Sequence, residues 1–265
     1  MTTITKQFIN NHCVFSEKSL RGTLMEFVIP NNIKKIDPLA FSECGALKSI
    51  TIPNNVTEIG HHAFERCTAL TSVSMHDDIT DIEDWAFSGC HALTSFSIPK
   101  NVTNISNRAF YQCLSLKSVY IPDGVTEIGI RAFLACASLS SVNIPDSITT
   151  IGDEAFSGCR SLKSISIPNN VTNISSKAFY QCLSLESVTI ADGVNEIGIR
   201  AFLECASLSS ITIPDSITTI GDGAFYQCTS LKHIICNNPD LFTERNIQNK
   251  DQIQFEPKRE FVRKP

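Results

Sequence analysis

The sequence predicts an α/β solenoid, and three observations carry that reading. The dipeptide Ala-Phe recurs nine times, from Phe41 to Phe225, each 23 residues after the last and without insertion. Three residues after every Phe stands a Cys, from Cys44 to Cys228, and three further on a Leu, from Leu47 to Leu231. Between each Leu and the next Phe, the apolar spacing changes from that of a strand to that of a turn. A fixed period of this length marks stacked supersecondary units. One unit has too little apolar surface to fold alone, so neighbours must share a continuous core.

The unit at residues 47–67 reads LKSITIPNNVTEIGHHAFERC. Leu47, Ile50 and Ile52 have the spacing of a strand whose alternate side chains face inward. Pro53 ends that strand because it has no N–H to donate to a ladder. Val56 and Ile59 are the next inward anchors, and Gly60 is expected to turn the chain at an unusual φ. Ala63, Phe64, Cys67 and the following Leu70 are spaced as one short helical turn with an apolar face. Strands stacked about 4.8 Å apart would give a body roughly 45 Å long.

The ends read as covers for the open core. Residues 1–23 lack the register but carry Ile4, Phe8, Ile9, Val14 and Phe15, and form the expected N-terminal cap. Residues 24–236 are the solenoid. Residues 237–265 form a C-terminal cap with Leu241, Phe242, Ile247, Ile253 and Phe255, followed by the basic tail Lys258, Arg259, Arg263 and Lys264. A second repetition lies above the first: residues 101–165 align with 170–234 at an offset of 69, with 51 of 65 positions identical, as a block duplication would leave them.

The unit L-x-x-I-x-I-P-x-x-V-T-x-I-G-x-x-A-F-x-x-C, running over residues 24–236, resembles the BspA-like, Treponema pallidum-type leucine-rich repeat. The resemblance implies a curved leucine-rich-repeat solenoid with a parallel β-sheet on the concave face and short helical or irregular segments on the convex face. It also implies protein binding rather than a reaction. Members of the family are bacterial surface adhesins, protist proteins and effectors of intracellular bacteria.

Composition narrows the partners. The net charge of −5 argues against a general nucleic-acid or anionic-membrane binder, which needs clustered Lys and Arg. No stretch approaches the roughly 18 apolar residues of a membrane span. The N-terminal sequence MTTITKQFINNHCVFSEKSLRG has no apolar run of signal-peptide length. The expected location is therefore the cytoplasm, or a host cell reached by a signal-peptide-independent route. The secreted adhesins of the family differ in this respect.

Tempting chemistry has plainer explanations. Nine of the eleven Cys fall on one inward column, and an odd count without a secretory signal reads as reduced thiols used as small hydrophobes. No C-x-x-C occurs, and zinc needs four convergent ligands. The six His are scattered, with His61 and His62 adjacent. No G-x-S-x-G elbow or phosphate-binding loop is present. The Thr column that includes Thr57, Thr80, Thr103 and Thr126 is expected to tie turn to turn. Sequons at Asn55, Asn101, Asn104, Asn170 and Asn173 are products of the repeat and matter only on export. No catalytic residue, metal or cofactor is expected.

A non-catalytic protein-binding module, monomeric when free, is the function expected. It would act as an effector or regulator that occludes a partner protein; a BspA-like surface adhesin is the alternative. The binding surface is expected on the outward face of the strands, where the background is Ser and Thr and Tyr120 breaks it in mid-sheet. Ser97, Ser118, Tyr120, Ser141 and Asn143 form the floor, with Asp123 and Asp146 at an acidic rim. The opposite rim is basic, with Lys48, Lys117, Lys163 and Lys232 against Glu186. A competing convex stripe would comprise Tyr111, Leu134, Tyr180, Leu203 and Tyr226, beside a band of Arg108, Arg131, Lys177 and Arg200 broken by Glu154.

Overall fold

The computed structural model of the chain describes Thr3–Ile4 and residues 26–258. The body is a stack of 23-residue coils joined by three sets of parallel hydrogen bonds. In the first set, three-residue strands such as Ser118–Tyr120 pair with Ser95–Ser97 before them and Ser141–Val142 after them. Partners lie 23 residues apart, so every coil repeats the pleat of its neighbour. Val119 points inward and is buried, while Ser118 and Tyr120 point out.

The second set joins two-residue strands past the proline corner. Glu127–Ile128 pairs with Asn104–Ile105 and with Thr150–Ile151. Hydroxyls of the Thr column reinforce it: Thr80 Oγ1 donates to the Thr57 carbonyl at 3.3 Å and Thr149 Oγ1 to the Thr126 carbonyl at 3.2 Å. The expected tie from turn to turn is therefore present.

The third set replaces the helical segments that the spacing predicts. Around Phe133, alternate amides reach the next coil: Arg131 N–H donates to the Asp153 carbonyl at 2.9 Å, Phe133 to Ala155 at 2.8 Å and Ala135 to Ser157 at 2.7 Å. The amides between them turn back within the coil, Ala132 to Gly129, Leu134 to Arg131 and Cys136 to Phe133. An α-helix would direct all its amides along its own axis and leave adjacent coils unjoined. Left-handed residues at Arg131 (φ 58°) and Ala135 (φ 60°) break the helix and redirect the chain. Every described coil repeats this pair, and Gly occupies only three of the positions, Gly89, Gly158 and Gly223. Helix among the described residues is confined to two 3₁₀ turns, Pro239–Leu241 and Lys250–Gln252. None is long and apolar enough to cross a membrane.

Gly60 also differs from expectation. Its φ is not among the left-handed ones; what excludes a side chain is closeness to the preceding coil. A Cβ there would stand 2.8 Å from Pro38 N and 2.9 Å from the Ile36 carbonyl oxygen.

The core is a set of columns. From Phe41 to Phe225, successive rings stack with centroids 5.0 to 5.7 Å apart and planes 2° to 10° from parallel. That separation exceeds face-to-face contact, so the rings are offset, as aromatic quadrupoles prefer. Each column thiol from Cys67 to Cys228 donates to the Phe carbonyl of the preceding coil, as Cys136 does to Phe110 at 3.1 Å. Burial pushes the Cys182 and Cys228 thiols up to about 12, well above the range of a reactive thiolate.

Beyond the last Phe of the register, Phe242 is buried and tilts against Phe225 at 5.9 Å and Phe255 at 5.3 Å. Buried Asn246 donates to the Leu241 carbonyl at 2.8 Å and accepts from Thr243 N–H at 2.9 Å. Gln254–Glu256 then adds one more parallel strand beside His233–Ile235. At the other end, Thr3–Ile4 pairs with Lys35–Ile36. Phe8, Ile9, Cys13, Val14 and Phe15, and the tail residues Arg259, Arg263 and Lys264, lie outside the described residues.

On the turn side, side chains at the first left-handed position form a column of their own. Trp85 stacks on His62 at 5.5 Å, and the Arg108 guanidinium lies 4.8 Å from the Trp85 ring centre. Arg131 holds Glu154 in a two-pronged pair at 3.0 and 3.1 Å, and Lys177 approaches the same carboxylate at 3.8 Å. The Arg131 hydrogen bonds hold the Glu154 carboxyl below its ordinary range.

Three outcomes are expected. Phe133→Ala should lower stability by about 3–5 kcal/mol, because the neighbouring rings cannot collapse into the space; a denaturant midpoint implying less than about 1 kcal/mol would place the ring outside the core. The column thiols should label with a soluble disulfide reagent only on unfolding, and all eleven Cys should titrate as free after denaturation without reductant. Rapid labelling of the column thiols in the folded chain, or several disulfides, would contradict the buried, reduced column. Since the Glu154 carboxyl is depressed when folded, its stabilisation is present at neutral pH and lost as pH falls through the folded value. Glu154→Gln should cost about 1 kcal/mol or less at pH 7 for this partly exposed pair, and the gap from wild type should close in acid. A gap that widened in acid would refute the pairing.

Candidate functional site

The strand face is assembled by the pleat. Side chains at alternate positions leave the core on one side, and the 23-residue register aligns them into two columns. All seven residues singled out from the sequence are exposed: Ser97, Ser118, Tyr120, Asp123, Ser141, Asn143 and Asp146. Tyr120 pairs across the ladder with Ser97, and Ser118 lies between Ser95 and Ser141. The small hydroxyl side chains leave the Tyr120 ring standing clear, with 64% of the residue accessible. Among the described residues, Val28, at 88%, is the other large exposed hydrophobe on this face and belongs to the first described strand of the row. It lines a groove with Ser49, Thr51 and Asn54.

Two exposed charged rows flank the columns. Lys48, Lys117, Lys163 and Lys232 lie on the side where the chain enters each strand, with Glu186 among them. Asp77, Asp123, Asp146, Asp192 and Asp215 lie beyond the proline position. The ends of the acidic row are neutralised internally, Asp77 by Lys100 and Asp215 by Lys258, each at 3.1 Å. Among the described residues, Asp123, Asp146 and Asp192 have no ion-pair partner, and neither do the four Lys of the opposite row.

The turn side is different. Arg66 lies 3.7 Å from Glu43 and 4.0 Å from Glu65, and Glu154 is shared by Arg131 and Lys177. The Asp84 and Asp153 carboxylates accept backbone N–H bonds from Asn107 and Ser176 in the following coils. Tyr111, Leu134, Tyr180, Leu203 and Tyr226 are half-buried between coils rather than forming an open stripe. Sequence reasoning missed these ties. Their signal was present in the recurrence of Asp84, Asn107 and Asp153 at one register position, three residues before the Phe.

Among the described residues, no group of three or more His, Cys, Asp and Glu could hold a metal ion. His76 Nε2 is engaged with the Pro53 carbonyl at 2.7 Å, and His62 Nδ1 with Glu65 at 2.9 Å. What the strand face offers is a broad hydroxyl floor, one aromatic ring and two opposed charged edges.

Comparison with known proteins agrees with this architecture. No curated protein matches the chain. A leucine-rich repeat protein from Bacteroides ovatus has a solved structure that superposes with a TM-score of 0.77 at 33% identity, covering 88% of this chain and 60% of that one. The chain thus spans less than two thirds of that relative's length. A leucine-rich cell surface protein from Faecalibacterium prausnitzii superposes at 0.54 with 27% identity, covering 97% of this chain and 83% of that one. The T. pallidum leucine-rich repeat protein does so at 0.51 with 26% identity, covering 74% and 80%. The family model for the BspA-type leucine-rich repeat region matches in six copies over residues 9–140 and 126–251, and the chain belongs to that family.

Proposed function

We propose that the chain is a non-catalytic binding module, monomeric when free, that docks a partner protein on its strand face as an effector or regulator and occludes the surface it covers. The observation that carries this is the contrast between the two sides. Charges on the turn side are largely tied to neighbours, whereas Asp123, Asp146 and Asp192 on one edge of the strand face and the four Lys on the other are left for a partner. Opposed rims orient an incoming surface and raise its association rate. An exposed Tyr on a floor of small residues is the type of anchor that dominates binding energy. The chain works in the cytoplasm or in a host cell.

A second reading, the surface adhesin, is favoured by one observation: a 27%-identical relative is a cell surface protein. Fractionation of the source cells separates the two. Recovery at the cell envelope would establish the adhesin, and recovery in the soluble fraction or in host cytosol the effector.

The docking face is tested on the partner that co-purifies with the chain. Tyr120→Ala should weaken binding by about 2 kcal/mol or more, roughly thirtyfold, with little change in melting temperature. Asp146→Ala should cost less and act mainly on association rate and salt dependence. Wild-type affinity for Tyr120→Ala combined with a loss in Tyr111→Ala or Leu134→Ala would move the interface to the turn side.

A further inference from the structure

We propose that the occupant of the strand face is a lysine- or arginine-bearing segment of the partner, seated with a cation over the Tyr120 ring and against Asp123 and Asp146. This rests on the docking face argued above and adds the chemistry of what it holds.

The choice of occupant follows from charge complementarity. The chain carries a net −5, so its far field draws cations. Internal pairs remove Asp77 and Asp215 from the acidic row, which leaves Asp123, Asp146 and Asp192 to attract a cation. Tyr120 and Asp123 lie in one coil, and Asp146 occupies the equivalent place in the next, about one strand spacing of 4.8 Å away. An exposed Tyr ring accepts a cation within about 6 Å of its centre. Anionic rim and aromatic face thus favour the same group. The Lys row across the floor repels that group, which fixes the side on which it settles.

A fluorescent oligoarginine peptide is the probe, with binding followed by anisotropy and by backbone amide shifts of the full chain. Asp123→Asn with Asp146→Asn should weaken it about tenfold, and Tyr120→Leu about two- to fivefold. A control that removes as much charge elsewhere, Asp222→Asn with Glu244→Gln, should change it less than about twofold. Equal loss in the control would mean the peptide senses only net charge, and tighter binding of oligoglutamate would make the Lys row the dock; either overturns the proposal. Shifts at Ser118–Tyr120 that survive both Asp substitutions would overturn the cationic occupant while keeping the docking face. Shifts confined to the turn side would overturn both.

Discussion

The structure depends on one constraint: ring stacking and backbone hydrogen bonding must advance by nearly the same distance per coil. The Phe column repeats at 5.0 to 5.7 Å, and parallel strands repeat at about 4.8 Å. Offset rings accommodate the small difference, and the coils can fan slightly without breaking either set. Everything else follows from holding that path constant. One inserted residue would carry the next Phe out of its column and move the following amides off their carbonyl partners. That explains why the interval never varies over nine repeats.

Because the path is fixed, the interior could be read from the sequence almost residue by residue. Ile50, Val56, Ile59, Phe64 and Cys67 are buried as their spacing required. The turn side was not legible in the same way. Ala63, Phe64 and Cys67 have helical spacing, and the apolar pattern records only which side chains face inward, not where the amides point. The left-handed residues that decide the matter are Arg, Lys, Glu and Gln far more often than Gly. Identity at those positions therefore gives no warning. Gly60 was misread for the related reason that close approach and positive φ both call for Gly.

The candidate site was legible in position but not in energetics. Alternation along the strand placed Tyr120 on the outer surface, and the position after the repeat proline placed Asp123 and Asp146 at its rim. Which charges were free to act depended on contacts between residues one coil apart, such as Lys100 with Asp77. Such contacts depend on rotamer and reach, and the repeat pattern does not encode them. The block duplication sharpens the point. Lys117 and Tyr120 in the first copy correspond to Glu186 and Thr189 in the second, so one inherited scaffold now presents two chemically distinct stretches of the same face.

The alternating amides of the turn side have a mechanical consequence. Because half of them, like those of the two strand rows, bond to the adjacent coil, cohesion along the axis resides in repeated sets of parallel hydrogen bonds, one set at each junction. A load applied along the axis meets those sets in series. It need break only one junction at a time, starting from an end, so peeling should proceed coil by coil in steps of 23 residues. A load across the coils would instead strain many junctions at once. The solenoid is accordingly a directional spring, compliant when pulled from its tips and stiff when pressed on its sides.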